Sequence, residues 1–219
     1  NSMSVNERLA LLIGLLLSDG SVYFDKSKKT YCIQLTNKDP ELLTLFKELM
    51  RECFGFTNFS INRCKNAISL RVFSVKVARE LFSYSPSYRT KACKTKPVCA
   101  DPLCDTQHTP IDGVRYPSCK IPEVVLDDKK LLAAFLKGFA SSDGTLYCNS
   151  KYSVAYVAIT SHHPSLRNEI MHAINLLGLS ATRNRHEVRI SGIENTKKFL
   201  EIVGFIPERT LTLKTVSSS

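Results

Sequence analysis

The sequence predicts an α+β protein with two pseudo-symmetric halves, each in the element order αββαββα. The first observation is a duplicated string, LLIGLLLSDGS at 11–21 and FLKGFASSDGT at 135–145, in which an apolar helical run ends in Ser-Asp-Gly. The second is that related segments follow both copies in the same order, such as LRV at 70–72 and VRI at 188–190. Two blocks indicate a duplicated unit, because a solenoid needs at least about three repeats to bury its faces.

Length, composition and charge narrow the class of protein. The chain has 219 residues, of which 43% are hydrophobic, so it can bury a core. No run of about 18 apolar residues could span a bilayer, and no charged segment with a cleavage site marks a secretory signal. We therefore expect an intracellular protein without a membrane partner. Lysine and arginine number 30 against 20 acidic residues, and the net charge of +10 favours a polyanionic partner.

The first element is predicted to be a buried helix that ends near Ser18. Ser4 and Glu7 have the spacing of a capping box, in which the serine hydroxyl and the glutamate carboxylate each accept a bond from a free backbone amide. Residues 9–17 are almost all apolar, which indicates a helix that is buried on most sides.

Small residues recur on one face of the two motif helices, the helices that contain the duplicated strings. Gly14 and Ser18 are four residues apart, as are Gly138 and Ser142. This spacing places each pair on one helix face and lets two helix backbones approach closely. We therefore predict that the motif helices pack on each other.

The segments that follow each motif helix alternate between strands and helices. Residues 21–25 and 145–149 alternate apolar and polar side chains, as in a strand with one buried face, and each precedes a polar turn and a second alternating segment. Prolines then open the next helices, predicted at 40–54 and 164–177. A second strand pair and a last helix complete each half, predicted at 57–62, 67–74 and 75–83 and at 180–185, 187–191 and 194–203.

Residues 85–126 are a different kind of segment, rich in proline, lysine and cysteine and without sustained periodicity. This insert separates a first half at 4–84 from a second half at 127–216, and it is too long for a simple tether. Its cysteines, which lie beside His108, are Cys93, Cys99, Cys104 and Cys119. Their spacing lacks the paired C-x2-C of common zinc sites. A structural Zn²⁺, one or two disulfides and ordinary free thiols therefore all remain open.

The duplicated Asp-Gly places Asp19 and Asp143 at equivalent points of the two halves. A carboxylate at the C-terminal end of a helix is unfavourable, because the helix end already carries partial negative charge. If the motif helices meet, the two carboxylates come together and can hold divalent Mg²⁺. Two metal ions about 3.5 to 4 Å apart suit in-line phosphodiester cleavage. The alternative is that each Asp-Gly only begins the turn into the next strand.

With these residues in place, the chain resembles the LAGLIDADG homing endonucleases of the single-chain, two-repeat kind. Residues 12–20 and 136–144 occupy the motif positions, and the repeated order covers nearly the whole chain except the insert. The resemblance implies two αββαββα halves packed through the motif helices, with a saddle of β-strands in the DNA major groove. It implies an intron-encoded monomer that makes double-strand breaks with 3′ overhangs in a long, near-palindromic DNA target. The implied cofactor is Mg²⁺, with Ca²⁺ or Mn²⁺ as substitutes in binding or cleavage.

The last acidic residue of each family motif binds metal, and the resemblance carries this role to Asp19 and Asp143. The resemblance does not identify which backbone group near Ser18 would also bind the metal. The earlier acidic motif position holds Leu17 and Ser141 in this chain. This departure should cost little, because that position is not the principal metal ligand.

Two further family positions are matched in the first half. Gln34, in the segment Ile-Gln-Leu-Thr, resembles the glutamine that positions the hydrolytic water, whereas its second-half counterpart is Ala158. Lys91 matches the family's basic residue near the cleaved phosphate.

The second half departs from the family at the basic position as well. Leu211 stands where the first half has Lys91, which leaves Lys214 or Arg209 as substitutes. Both positions that assist the hydrolytic water are thus degraded in the second half. We therefore expect the two DNA strands to be cut at different rates.

The strands supply a second set of candidates, for contact with DNA. Alternation sends every second side chain to the face opposite the core. Arginine can bind guanine bidentately and asparagine can bind adenine, which suits a face that reads the major groove, although each residue alone is explained as well by a phosphate contact or by solvation. The candidates are Ser21, Tyr23, Asp25, Gln34, Thr36, Asn58, Ser60, Asn62 and Arg71 in the first half, and Thr145, Tyr147, Asn149, Tyr156, Thr160, Arg183, Arg185 and Arg189 in the second.

The main rival to a DNA endonuclease is a non-cleaving nucleic-acid binder on the same fold, either a maturase that assists the splicing of intron RNA or a regulator. Retention of Asp19 and Asp143 argues against a purely binding role, but it is compatible with a bifunctional enzyme. An endonuclease embedded in an intein is disfavoured, because no flanking splicing block with an initiating Cys or Ser and a terminal His-Asn is visible.

Overall fold

Two similar α+β halves and a central insert make up the fold. The structure is a computed structural model that describes residues 5–93, 108–111 and 114–211. The predicted α+β class is confirmed, as is the packing of two αββαββα halves through the motif helices.

The elements follow the predicted order in both halves. The first half consists of α1 (Glu7–Ser18), β1 (Gly20–Asp25), β2 (Thr30–Asn37), α2 (Pro40–Phe54), β3 (Ser60–Cys64), β4 (Ala67–Phe73) and α3 (Val75–Tyr84). The insert contributes the hairpin of β5 (His108–Ile111) and β6 (Val114–Pro117) and the short helix α4 (Glu123–Leu126). The second half consists of α5 (Lys129–Asp143), β7 (Gly144–Asn149), β8 (Val154–Thr160), α6 (Pro164–Leu176), β9 (Thr182–Arg183), β10 (Glu187–Ser191) and α7 (Ile193–Ile202). None of the described helices combines the length and the apolar character that a membrane span requires.

Each half contains one antiparallel sheet of four strands. The strand orders are β1-β2-β4-β3 and β7-β8-β10-β9. Helices α2 and α3 pack on the first sheet, and α6 and α7 pack on the second. Because these helices and the motif helices cover one face of each sheet, the core lies on that side and the opposite face carries the alternate side chains.

Two predicted strands are shorter in the structure. β3 starts later than expected, at Ser60, and β9 contains only residues 182–183 of the predicted 180–185. The backbone amide of Ser180 instead donates a hydrogen bond to the Asn195 side chain at 3.2 Å. A side chain from α7 therefore replaces the ladder partner that a longer β9 would have used.

Asn6 is the N-cap of α1, so the predicted capping box of Ser4 and Glu7 is wrong. The Asn6 side chain accepts a hydrogen bond from the backbone amide of Leu9 at 2.9 Å. Glu7 is already the first helical residue, and Ser4 lies outside the described residues. Asparagine caps helices as well as serine does, so the local pattern allowed both registers.

Gly14 and Gly138 lie where α1 crosses α5, which confirms their predicted role. A Cβ atom on Gly14 would lie 2.1 Å from the carbonyl oxygen of Phe135, and one on Gly138 would lie 2.3 Å from that of Leu11. Helix backbone therefore meets helix backbone at this crossing. The close approach holds the C-terminal ends of both motif helices at the same place in the molecule.

Backbone amides of the insert bind the C-cap residue of α3 on one side and a side chain of α6 on the other. The amide of Lys120 donates to the Ser85 hydroxyl oxygen at 3.1 Å, next to the end of α3. The adjacent amide of Ile121 donates to the carboxylate of Glu169 on α6, also at 3.1 Å. The segment before α4 thus ties the first half to the second, which a flexible tether would not do.

His163 is a buried histidine that joins the insert to α6. Its Nδ1 accepts a hydrogen bond from the backbone amide of Leu166 at 3.1 Å, and its Nε2 lies 2.5 Å from the carbonyl oxygen of Pro117. These two contacts require the neutral ring with its hydrogen on Nε2. Burial is the main cause that lowers the pKa of His163 below its usual value.

We expect the protein to lose stability as the pH falls below about 6.5, the usual pKa of histidine. Because the pKa of His163 is lower in the folded state, its contribution to the free energy of unfolding is complete above that pH and is lost as the pH falls. His163→Asn should flatten the dependence of melting temperature on pH, whereas His162→Asn, a change at the exposed neighbour, should keep the wild-type slope. Equal slopes for all three proteins would contradict this role.

Candidate active site

Asp19 and Asp143 lie side by side where the C-terminal ends of α1 and α5 meet. Their carboxyl groups are hydrogen-bonded to each other. Burial, followed by the charge of Asp19 and this hydrogen bond, raises the pKa of Asp143 to about 8. The pair therefore holds a proton near neutral pH when no cation compensates its charge, because two adjacent carboxylates in a partly buried site resist double ionisation.

This pair of oxygen donors fits a hard divalent cation such as Mg²⁺. Proteins bind Mg²⁺ through one or two carboxylates, with water and phosphate oxygens in the other positions, and the cation's charge replaces that of the shared proton. Across residues 5–93, 108–111 and 114–211, no group of three or more His, Cys, Asp or Glu side chains could hold a metal ion. Within these described residues, further ligands of a cation at this pair would be neutral oxygen atoms of side chains or the main chain, water or a substrate.

Asn37, at the end of β2, holds the Asp19 side chain. Its Nδ2 donates to Asp19 Oδ2 at 2.7 Å, and its Oδ1 accepts a hydrogen bond from the backbone amide of Asp39 at 2.8 Å. The backbone of Asp19 is held at the same place, because its carbonyl oxygen accepts a bond from the Thr36 amide at 3.3 Å. The sequence did not predict a role for Asn37. The one feature that could have pointed to it is its position as a polar residue soon after Gln34 and Thr36.

A cleft of about 650 Å³ opens beside Asp19 and brings three of the predicted catalytic residues together. Gln34 and Lys91 line this cleft with Asp19. Ser21 and Tyr23, predicted to contact DNA, line it as well. The first half therefore has a carboxylate, an amide and an ammonium group around one space that is open to a substrate.

Gln34 connects this cleft to the outer face of the first sheet. Its Oε1 accepts hydrogen bonds from Arg71 Nε at 3.0 Å and from the Tyr23 hydroxyl at 3.3 Å. Burial is the main cause that raises the pKa of Tyr23 to about 12, so the phenol stays a donor at neutral pH. The amide oxygen of Gln34 therefore braces Arg71, a role that the sequence did not predict.

The segment that carries Lys91, at the start of the insert, is fixed by contacts with α3 and with a later part of the insert. Tyr88 is fully buried, and its hydroxyl donates to the carbonyl oxygen of Leu81 at 2.6 Å. The Cys119 thiol donates to the carbonyl oxygen of Arg89 at 2.9 Å. Lys91 itself is exposed at the mouth of the cleft. The contact from Cys119 thus helps to position Lys91 beside the cleft.

For Cys119, the structure favours a free thiol over a zinc ligand or a disulfide. Cys119 is a buried free thiol, and burial raises its pKa to about 12. A zinc ligand has to be a thiolate, which this environment disfavours. Cys99 and Cys104 lie outside the described residues, so for them zinc and disulfide bonding stay predictions.

The second half has a different set of groups at the equivalent positions. Ala158, the counterpart of Gln34, is a buried apolar residue, and Lys214 lies outside the described residues. Arg209 donates to the carbonyl oxygens of Gly144 at 2.9 Å and Ser141 at 3.4 Å. It therefore closes the C-terminal end of α5, where a positive charge is favourable, and its guanidinium is engaged by these two carbonyl oxygens.

Strand register places most of the predicted DNA contacts on the faces opposite the core. Residues that pair directly across antiparallel strands project to the same side. Ser21, Gln34, Arg71 and Ser60 form one such row across the first sheet. The predicted residues that the register puts on the outer faces are Ser21, Tyr23, Asp25, Gln34, Thr36, Ser60, Asn62 and Arg71, and Thr145, Tyr147, Asn149, Tyr156, Thr160 and Arg189.

The prediction that Arg183 takes the outer face is wrong. Arg183 pairs with Val188, whose side chain is fully buried in the core, so Arg183 projects to the helix side of the sheet. Its charge there helps to lower the pKa of Arg167 on α6, after the larger effect of burial. Asn58 and Arg185 lie outside the strands, before β3 and in the turn after β9, so strand alternation assigns them no face.

The outer face of the second sheet carries an aromatic stack that the sequence did not predict as a unit. The rings of Tyr147 and Tyr156 are nearly parallel, with centroids 4.8 Å apart. The Arg189 guanidinium lies 4.1 Å from the centroid of Tyr156 and is paired with Glu187 at 2.5 Å. This face therefore presents stacked aromatic rings with a paired arginine, whereas the face of the first sheet presents the Gln34–Arg71 contact.

Comparison with known proteins gives one family match that covers both halves. The profile of the LAGLIDADG-like domain family matches residues 6–84 and 130–204. The DNA polymerase of Thermococcus kodakarensis is 24% identical over 189 residues, which make up 84% of this chain. This chain spans only 9% of the length of that polymerase.

Solved structures show the same fold. The homing endonuclease I-DmoI, in a complex with DNA and Mn, has a TM-score of 0.57 and 16% identity, with 90% of this chain and 96% of that chain covered. The N-terminal LAGLIDADG domain of DUF199/WhiA has a TM-score of 0.55 and 13% identity, with 97% of this chain and 86% of that chain covered. Both proteins are thus similar to this chain in their fold.

Proposed function

Because this chain belongs to the LAGLIDADG-like domain family, we propose that it is a divalent-metal-dependent homing endonuclease that makes site-specific double-strand breaks in DNA. One observation carries the proposal: the packing of α1 on α5 brings Asp19 and Asp143 together, and burial with mutual repulsion raises the pKa of Asp143 to about 8. A fold that only bound DNA would gain nothing from two adjacent carboxylates, since they repel phosphate as well as each other.

The residues of the site have separable roles in this proposal. Asp19 and Asp143 would hold the cation between the two halves, with Mg²⁺ as the physiological ion. When bound, Mg²⁺ supplies an activated water and charge stabilisation for the leaving oxygen. Gln34 would orient that water from the wall of the cleft, and the Lys91 ammonium would neutralise charge on the cleaved phosphate.

DNA recognition is assigned to the outer faces of the two sheets. Arg71, braced by Gln34, can present its remaining guanidinium nitrogens to a guanine edge. The net charge of +10 supports binding to the phosphate backbone. Two related faces in one chain suit a long, near-palindromic target and a monomeric enzyme, and I-DmoI, bound to DNA in its own complex, has a similar fold. Intron encoding and 3′ overhangs follow from the family resemblance.

A non-cleaving regulator on the same fold is the second candidate, because the N-terminal LAGLIDADG domain of DUF199/WhiA also has a similar fold. An intron-RNA maturase, alone or combined with DNA cleavage, is the further form of this alternative. The carboxyl pair favours the nuclease, since neither alternative requires Asp19 and Asp143 to be adjacent.

The proposed function is tested by selecting cleaved sites from a randomised duplex library in the presence of Mg²⁺. We expect one long sequence with related half-sites to be enriched, and no enrichment when a chelator replaces Mg²⁺. Sequence-specific binding without cleavage at any Mg²⁺ concentration would identify a regulator instead. Binding restricted to structured RNA would identify a maturase.

The two strands of the target should be cut at unequal rates. The first-half cleft contains Gln34 and Lys91, whereas Ala158 replaces the glutamine in the second half and Arg209 is engaged at the end of α5. A supercoiled plasmid with the selected site should therefore pass through a nicked form before it becomes linear. Linear product that appears without a nicked intermediate, or equal single-strand rates on a labelled duplex, would contradict this prediction.

A further inference from the structure

Building on the proposed function, we propose that Asn37 is a positioning residue that orients the Asp19 carboxylate for metal binding. The first step concerns the direction of its amide. The backbone amide of Asp39 donates to Asn37 Oδ1 at 2.8 Å, so the oxygen of the Asn37 amide is fixed on that side. Its Nδ2 must then face the opposite way, where it donates to Asp19 Oδ2 at 2.7 Å.

The second step concerns the anchor of this amide. Asp39 is the N-cap of α2, and its side chain accepts a hydrogen bond from the Glu41 amide at 2.9 Å. Pro40 follows at the first helical position, where its fixed φ suits the start of a helix. The Asp39 amide therefore lies at the corner between β2 and α2, where the fixed φ of Pro40 restricts the backbone, and it holds the Asn37 side chain there through a backbone group.

The third step concerns charge. A neutral amide that donates to one oxygen of Asp19 fixes the carboxylate and leaves its other oxygen available for a cation. A lysine or arginine at the same place would bring a positive charge that repels the metal ion. Side chains that orient metal ligands in this way typically contribute about 10-fold to 100-fold to metal affinity.

The second half lacks this device. Ser161, directly after β8, is the second-half counterpart of Asn37 at the end of β2. Its buried hydroxyl has no hydrogen-bond partner within the part of the chain that the structure describes. Arg209 instead holds the carbonyl oxygens of Ser141 and Gly144, which flank Asp143. Asn37 thus orients the Asp19 side chain directly, whereas Arg209 holds the backbone on either side of Asp143.

The experiment measures the affinity of the protein–DNA complex for Mn²⁺. The complex contains the full chain and a DNA duplex selected for its binding to this protein. Electron paramagnetic resonance follows the concentration of free Mn²⁺. Asn37→Ala should weaken Mn²⁺ binding about tenfold or more, while DNA affinity in a chelator stays at the wild-type level. Asp39→Ala is the matched control, because it removes the cap of α2 and keeps the backbone amide that holds Asn37. It should lower the melting temperature and leave Mn²⁺ affinity within about threefold of wild type. Ser161→Ala should leave Mn²⁺ affinity at the wild-type level.

Three outcomes would overturn the role of Asn37. They are wild-type Mn²⁺ affinity in Asn37→Ala, an equal loss of Mn²⁺ affinity in Asp39→Ala, and an absence of Mn²⁺ binding in the wild-type complex. A wild-type complex that binds Mn²⁺ through Asn37-dependent contacts and cleaves no DNA would support the role of Asn37 and refute the endonuclease. The two proposals therefore fail in distinguishable ways.

Discussion

Asp19→Asn and Asp143→Asn should each abolish double-strand cleavage of the selected target. Asparagine keeps the size of the side chain and removes the charge that holds a divalent cation, and each half supplies only one of the two carboxylates. DNA affinity should stay within about tenfold of wild type, because many phosphate and base contacts hold the complex. Plasmid linearisation in Mg²⁺ and DNA binding in a chelator measure the two effects separately.

The loss of cleavage in these variants should not reflect a loss of folding. Burial and the charge of Asp19 raise the pKa of Asp143 to about 8, so its ionised form is costly in the absence of metal. Asp143→Asn should therefore melt at or above the wild-type temperature above about pH 8 when no divalent cation is present. Asp127→Asn, a change at an exposed aspartate after α4, should cleave normally. Full cleavage by either active-site variant would refute the assignment of that aspartate.

Gly138→Ala should destabilise the protein, although alanine is the better helix former. A Cβ atom at this position would lie 2.3 Å from the carbonyl oxygen of Leu11, and backbone of α1 cannot move aside as a flexible side chain could. Overpacking of this kind costs about 1 to 3 kcal/mol, against a gain of about 1 kcal/mol in helix propensity. At the tighter crossing of Gly14 and Phe135, where the distance would be 2.1 Å, we expect a larger loss from Gly14→Ala.

Calorimetry on these glycine variants should show melting temperatures lowered by several degrees, about 2 to 4 °C for each kcal/mol in a chain of this size. The cleavage rate should fall even at temperatures where the variants stay folded, because any separation of α1 from α5 also moves Asp19 away from Asp143. Ala133→Ser is the control, since it adds one atom to α5 where the helix faces an open groove. Unchanged melting temperature and cleavage in both glycine variants would show that the helices do not meet as closely as the structure places them.

Periodicity predicted the parts of the fold that depend on local sequence. The apolar run at 9–17, the prolines that open α2 and α6, and the alternation in β1 and β7 each reflect an interaction within one element or across one turn. The glycines at the helix crossing were also predictable, because small residues at a spacing of four favour only one kind of helix contact. The duplicated Asp-Gly then led directly to the carboxyl pair.

The features that the sequence did not reveal depend on contacts between distant segments. Asn37 reaches Asp19 only because β2 ends beside the C-terminal end of α1. The face of Arg183 depends on a strand of two residues, too short for alternation to be read reliably. His163 carries no motif, and its role arises from the Pro117 carbonyl oxygen that the insert brings to it. Such pairings are set by register and docking, which a single sequence does not encode as a local pattern.

Anomalous diffraction from crystals of the protein with its selected DNA and Mn²⁺ tests most directly whether one metal centre is shared by the two halves. The account predicts anomalous peaks between the ends of α1 and α5, with carboxylate oxygens of both Asp19 and Asp143 within about 2.6 Å of bound metal and a DNA phosphate completing the site. Peaks bound by only one half, or no peak at the carboxyl pair, would contradict it.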